Sequence, residues 1–122
     1  MKRILSLVVI VIVLSMPALV VAGGPLDGAY SVIATSSNGQ FLDYVFVLQN
    51  GAQIVLTILY PDVPVKWFYG IGTLNGNTAS GTLYGPDNAS FGSFNVTLGA
   101  DGSLSGTLNS GLTVGLNGSR IF

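Results

Sequence analysis

All the acid chemistry of this chain must come from five aspartates, Asp27, Asp43, Asp62, Asp87 and Asp101, because it has no histidine, cysteine or glutamate. That residue set removes Ser-His-Asp and Cys-His nucleophile arrangements, the usual zinc ligand sets and any glutamate-based acid–base pair. Hydrolysis by paired carboxylates needs two carboxyls held about 5–10 Å apart, and no spacing among these five argues for such a pair. Asp27-Gly28 and Asp101-Gly102 read as turn dipeptides. Calcium has a conceivable foothold near Asp87-Asn88, but neither an EF-hand loop nor a Gly-Asp-rich nonapeptide repeat surrounds it. No glycine cluster follows a strand and opens a helix, so phosphate-loop chemistry is excluded. The chain is therefore expected to be no enzyme and to hold neither cofactor nor metal.

Binding chemistry is better represented. Trp67, Phe68 and Tyr69 stand together with Lys66 just past Pro61-Asp62-Val63-Pro64. Such a group can serve as a ligand or partner platform at the mouth of a barrel, since aromatics supply large contact areas at low entropic cost. The structural alternative has Trp67 and Tyr69 filling the core and Phe68 closing an edge or interface. Asp43 sits within a largely apolar run, Phe41 to Gln49. Turned inward, it needs a partner such as a tyrosine hydroxyl or Lys66; turned outward, it is a charge that discourages edge pairing.

The elements that must position these residues are strands. From Asp27 onward the apolar period is two rather than 3.6. Eight strands are predicted, at about Gly28–Ser36, Phe41–Gln49, Gln53–Tyr60, Val65–Leu74, Thr78–Tyr84, Ser90–Leu98, Ser103–Asn109 and Leu112–Phe122. Asn38-Gly39, Asn50-Gly51, Asn75-Gly76 and Asp101-Gly102 supply the positive φ angles of tight hairpins, Pro61–Pro64 makes a stiffer link, and Pro86-Asp87-Asn88 makes another turn. Short connections pair sequence neighbours antiparallel. The expected fold is an all-β, eight-stranded antiparallel up-and-down meander after an N-terminal signal helix. A closed barrel is favoured over an open sandwich, because closure removes the edge strands.

The later strands alternate cleanly, with Phe94, Val96 and Leu98 against Ser93, Asn95 and Thr97. The earlier ones carry apolar residues on both faces. Leu42, Tyr44, Phe46 and Leu48 are backed by Phe41, Val45 and Val47; Ile54, Leu56, Ile58 and Tyr60 by Val55 and Leu59; Val65, Trp67, Tyr69 and Ile71 by Phe68. Something must cover the outer of two such faces: a loop, a second subunit, a ligand or lipid. A Gly-Thr-Leu triplet recurs at Gly72, Gly81 and Gly106; its spacing is too irregular for a solenoid. Glycine there allows curvature, while Thr-Leu gives one polar and one apolar position. The stretch from Gly99 to Leu108, Gly-Ala-Asp-Gly-Ser-Leu-Ser-Gly-Thr-Leu, resembles an early hairpin of the avidin and streptavidin family. The likeness covers about ten residues near the C-terminus. The family's tryptophan-rich ligand pocket has no counterpart, Trp67 being the only tryptophan, so no biotin-binding residue carries over.

The N-terminus explains where such a domain works. Lys2 and Arg3 precede the apolar run from Ile4 to Leu14, and Val20 and Ala22 suit the −3 and −1 sites of a cleavable export signal. A signal peptide over residues 1–22 and one β domain over 23–122 follow, with secretion or a periplasmic, extracytoplasmic location. The alternative is an uncleaved anchor, because Ile4 to Ala22 approaches the roughly 20 residues that span a bilayer; membrane contact then runs through that segment alone. With no cysteine, the domain must be held by its own core or by assembly. Past residue 22 only Lys66 and Arg120 are cationic, too few for a nucleic-acid stripe. Asn88, Asn95 and Asn117 open glycosylation triplets.

The function expected from these residues is non-catalytic binding of an apolar small molecule or a protein partner. The contact residues are Tyr44, Phe46, Trp67, Phe68 and Tyr69, and Tyr44, Phe46, Trp67 and Tyr69 are expected to line the ligand cavity. A structural, self-associating surface protein is the alternative. An outer-membrane barrel is a third class, prompted by the terminal Phe122 and opposed by strands shorter than the roughly 9–11 residues that span a bilayer.

Overall fold

Period-two alternation from Gly28 to Arg120 produces eight antiparallel strands, and each pairs with the next in sequence until the last returns to the first. The structure is a computed structural model describing residues 24–122; the expected signal helix over residues 1–22 lies outside them. The strands are β1 (Gly28–Ser36), β2 (Gly39–Asn50), β3 (Gln53–Tyr60), β4 (Lys66–Asn75), β5 (Thr78–Tyr84), β6 (Ser90–Leu98), β7 (Ser103–Asn109) and β8 (Thr113–Arg120). Closure is made by β1 against β8, from Tyr30 opposite Arg120 to Thr35 opposite Gly115. The expected meander and its closure into a barrel are both present.

Tight hairpins set the registers. Asn50 pairs with Gln53 and Asn75 with Thr78, leaving the loops Gly51-Ala52 and Gly76-Asn77. The first loop residue carries φ of 61° at Gly51 and 64° at Gly76. Primed hairpin turns need that left-handed conformation, which only glycine adopts without steric penalty.

One residue in two faces the barrel interior. Tyr30, Val32, Val45, Val47, Ile54, Leu56, Ile58, Leu83, Val96, Leu98 and Leu104 are almost wholly buried there. Such a barrel has room for a side-chain core or one small ligand, so large inward residues must face small ones. The Phe94 ring occupies the space in front of β4, where a Cβ on Gly70 would lie 2.7 Å from its Cε1. Gly72 and Gly81 face each other across β4 and β5. A Cβ on either would strike backbone, Ser80 O in one case and Ile71 O in the other. The Gly-Thr-Leu triplet therefore has a packing role: glycine where strands approach closely, threonine outward, leucine inward at Leu83 and Leu108.

One end of the barrel is plugged by the chain entering it. Leu26 is buried in the core, and the Tyr30 hydroxyl donates to Leu26 O at 2.9 Å. Arg120 lies over the Tyr30 ring, 5.5 Å from its centroid, and donates from Nη2 to Pro25 O at 3.0 Å. The Gln49 backbone amide donates to Asp27 Oδ1 at 2.6 Å, tying the same segment to β2. The opposite end, where β1 passes to β2 and β3 to β4, has no such plug among the described residues.

Because relief at Gly72 requires backbone movement, Gly72→Val should destabilise the barrel by about 2–3 kcal/mol or more. Thr73→Ala, one residue on but facing outward, should change stability by less than about 0.5 kcal/mol. Urea denaturation of both variants measures the difference, and equal losses would contradict the close-approach account.

Candidate functional site

The unplugged end opens into a cavity of ≈ 470 Å³ lined by Ala34, Ser36, Phe41, Asp43, Tyr60, Asp62, Lys66, Phe68, Leu108 and Val114. Strands β1 to β4, β7 and β8 contribute their inward residues nearest that end, and Asp62 joins them from the loop between β3 and β4. Along β2 the inward sequence is Phe41, Asp43, Val45, passing from rim to core; along β1 it is Ser36, Ala34, Val32. Phe41 meets Tyr60 edge-on with ring centroids 5.6 Å apart, and Phe68 meets Phe91 edge-on at 5.4 Å. The walls are apolar and aromatic, and the polar groups sit at two levels.

The rim carries the solvated charges. The Tyr60 hydroxyl donates to Asp62 Oδ2 at 3.0 Å. A hydrogen bond from the Val63 backbone, the Tyr60 hydroxyl and the nearby Lys66 ammonium together hold the Asp62 carboxyl below the usual carboxylate range. The same hydrogen bond pushes the Tyr60 hydroxyl above its ordinary value.

Asp43 forms the floor. It is the buried charged residue of the barrel, only 8% exposed. Asp43 pairs in register with Val32, whose side chain is buried, and Val45 is the next inward residue beneath it. None of the hydrogen bonds among the described residues reaches its carboxylate, and burial alone pushes its pKa up, to about 6. Desolvation without compensation produces that shift. The partner expected of an inward Asp43 is therefore not found among the described residues: Tyr60 is turned to Asp62, and Lys66 is an exposed rim residue.

The structure divides the predicted contact residues. Phe68 lines the cavity, whereas Tyr44, Phe46, Trp67 and Tyr69 do not. The expectation that these four line it is corrected: all four lie on the outer wall, where Tyr44 opposes Leu59, Leu59 opposes Trp67, and Phe46 connects through Thr57 to Tyr69. The reason is the interior phase of β4. Gly70 and Gly72 must face Phe94, so Phe68 shares their face and Trp67, Tyr69 and Ile71 take the other. Outside, Tyr69 stacks between Trp67 and Tyr84, with centroids 6.3 and 5.3 Å away. The alternative placing of Trp67 and Tyr69 in the core is equally overturned, since Trp67 is 43% exposed.

Sequence reasoning missed Phe41, Tyr60, Leu108 and Val114 as cavity residues. Their strands were legible, but the height at which the core stops is not a periodic signal. Among the described residues no three acidic side chains converge in a way that would hold a metal ion.

The Asp43 shift has a stability signature. The native state holds the Asp43 proton between about pH 4 and 6, where an unfolded aspartate has released it, so stability falls as pH rises through that window. Asp62 and Asp101, shifted the other way, lose their stabilising effect only as pH falls below about 3.8. Asp43→Asn should therefore flatten the fall between pH 4 and 6 and leave the protein about 1–3 kcal/mol more stable at pH 7.5. Chemical denaturation across that range measures both, and an unchanged pH slope in the variant would contradict the assignment.

No family model, no curated protein and no solved structure matches this chain.

Proposed function

We propose that this protein is an exported, non-catalytic barrel that binds an apolar small molecule in the cavity at its open end. The observation that carries the reading is the cavity itself. Its ≈ 470 Å³ lies within the range of about 300–1,000 Å³ usual for small-molecule sites. Apolar walls with a few convergent polar groups are the ordinary composition of such sites. A barrel serving only as a scaffold gains stability by filling this space, as it does around Phe94 and Leu83. Export rests on the residues of the N-terminal segment.

A second reading has its own observation. Ile33, Leu42, Phe46, Leu48, Trp67 and Ile71 are all between 43% and 65% exposed on the outer wall of β1–β4. Cross-strand rows such as Leu48–Val55–Ile71 make them continuous. A patch of this kind serves a protein partner or a second copy, which is the role left to Tyr44, Phe46, Trp67 and Tyr69. The remaining outer wall argues against lipid around the whole circumference: Ser80, Ser93, Asn95, Thr107 and Asn117 are exposed there, and β5 and β7 are only 7 residues long, against the roughly 9–11 that cross a bilayer.

N-phenyl-1-naphthylamine, a neutral probe that brightens in apolar surroundings, tests the two sites against each other. Binding at one site per barrel is expected, weakened at least tenfold by Ala34→Phe, which fills the cavity, and unchanged by Leu48→Ser on the outer wall. Loss of binding in Leu48→Ser with retention in Ala34→Phe would transfer the function to the outer patch. Emission from Trp67 is a poor reporter here, because that ring faces away from the cavity.

A further inference from the structure

The floor of the cavity carries a charge that nothing in the barrel answers. Asp43 is more than nine-tenths buried and lines the cavity. The titratable and polar groups that share the cavity lining with it are Ser36 on β1, Tyr60 on β3, Asp62 in the following loop and Lys66 on β4; the rest of the lining is apolar. The two rim charges are of opposite sign and act on each other, since Lys66 helps to hold the Asp62 proton off. Asp43 also acts on its surroundings, contributing to the upward shift of the Tyr60 hydroxyl. Selection for stability alone would place an apolar residue here, as at Val45 and Val47 in the same phase of β2.

The Asp43 carboxylate, reached by solvent only through the cavity, accepts no hydrogen bond from the described residues, and the group that matches it is a cationic donor. Charge-assisted hydrogen bonds to an ionised oxygen are the strong ones, and more so away from water. An anionic head fits less well: it would meet Asp43 at the floor, and the cation available to it, Lys66, sits in solvent at the rim beside Asp62. We propose that the cavity takes a molecule with a cationic, hydrogen-bond-donating head set against the Asp43 carboxylate and an apolar body packed between Phe41, Phe68, Leu108 and Val114. The head is a protonated amine or a guanidinium. This inference rests on reading the cavity as a ligand site.

The pH dependence of such a complex follows from the floor. With Asp43 ionising at about 6, a cationic head meets a carboxylate at pH 7.5 and a neutral carboxyl at pH 5. Asp62, held below the usual range, stays charged across that interval. Affinity for the cation should therefore fall about tenfold on acidification, while a neutral head of the same size is indifferent.

Three compounds sharing one ring system isolate the head group: 1-naphthylmethylamine, 1-naphthalenemethanol and 1-naphthoic acid, each titrated calorimetrically into the purified protein. The amine is expected to bind at least tenfold more tightly than the alcohol at pH 7.5, with the acid weakest. That preference should shrink by about tenfold at pH 5. It should also disappear in Asp43→Asn, whose retained alcohol binding shows that the variant is folded. Equal binding of amine and alcohol, or tightest binding of the acid, would overturn the inference and leave the cavity as a site for neutral or anionic molecules. If none of the three binds and N-phenyl-1-naphthylamine does not bind either, the ligand-site reading falls with it.

Discussion

Closing eight strands on themselves fixes the space that their inward side chains share, and the allocation of that space decides where the other residues go. Around Phe94 and Leu83 the space is used up, so the inward positions that face them, Gly70 and Gly72 on β4 and Gly81 on β5, carry no side chain. At the Tyr30 end, Leu26 enters from the preceding segment and completes the packing, secured by Arg120 and Gln49. At the other end the allocation stops short. The inward residues of β1 and β2 there, Ala34, Ser36 and Asp43 among them, leave the space before Leu108 and Val114 unfilled, and a cavity results. The cavity and the packed core are two outcomes of one volume constraint.

The same constraint explains the two-faced character of β2, β3 and β4. Once Gly70 and Gly72 are committed inward, the large residues alternating with them are excluded from the interior whatever their hydrophobicity. Trp67, Tyr69 and Ile71 then join Phe46 and Leu48 on the outer wall. The barrel is thus unequal around its circumference. One half is aromatic and aliphatic; the other is a lattice of serine, threonine and asparagine, with Thr78 and Thr97 hydroxyls approaching to 3.4 Å. The two proposed readings divide along the same line, a small molecule in the cavity inside and a macromolecular contact on the apolar wall outside.

Much of this was legible in the chain alone. Strand limits at Gln53–Tyr60, Thr78–Tyr84, Ser90–Leu98 and Ser103–Asn109 coincide with those observed, because alternation and Asn-Gly or Asp-Gly turns are local signals. Closure was legible because eight sequential strands with short links leave few other ways to remove their edges. The phase of β4 was not. Weighing residues one at a time favours tryptophan over glycine as an inward residue, and only the ring of Phe94, distant in sequence, reverses that preference. The cavity was hidden for the same reason, being a property of what Ala34, Asp43, Leu108 and Val114 jointly fail to fill. Asp43 stood out in an apolar strand, and its need of a partner was apparent; that none of the described residues supplies one was visible only in three dimensions.

The proposed function places the small molecule at the open end of the barrel and not on its outer wall. Methyl-labelled NMR spectra recorded while N-phenyl-1-naphthylamine is added resolve the two directly. With the compound in the cavity, the methyl signals of Ala34, Leu108 and Val114 should move on addition while those of Leu42, Leu48 and Ile71 stay in place. Movement confined to the second group would contradict it.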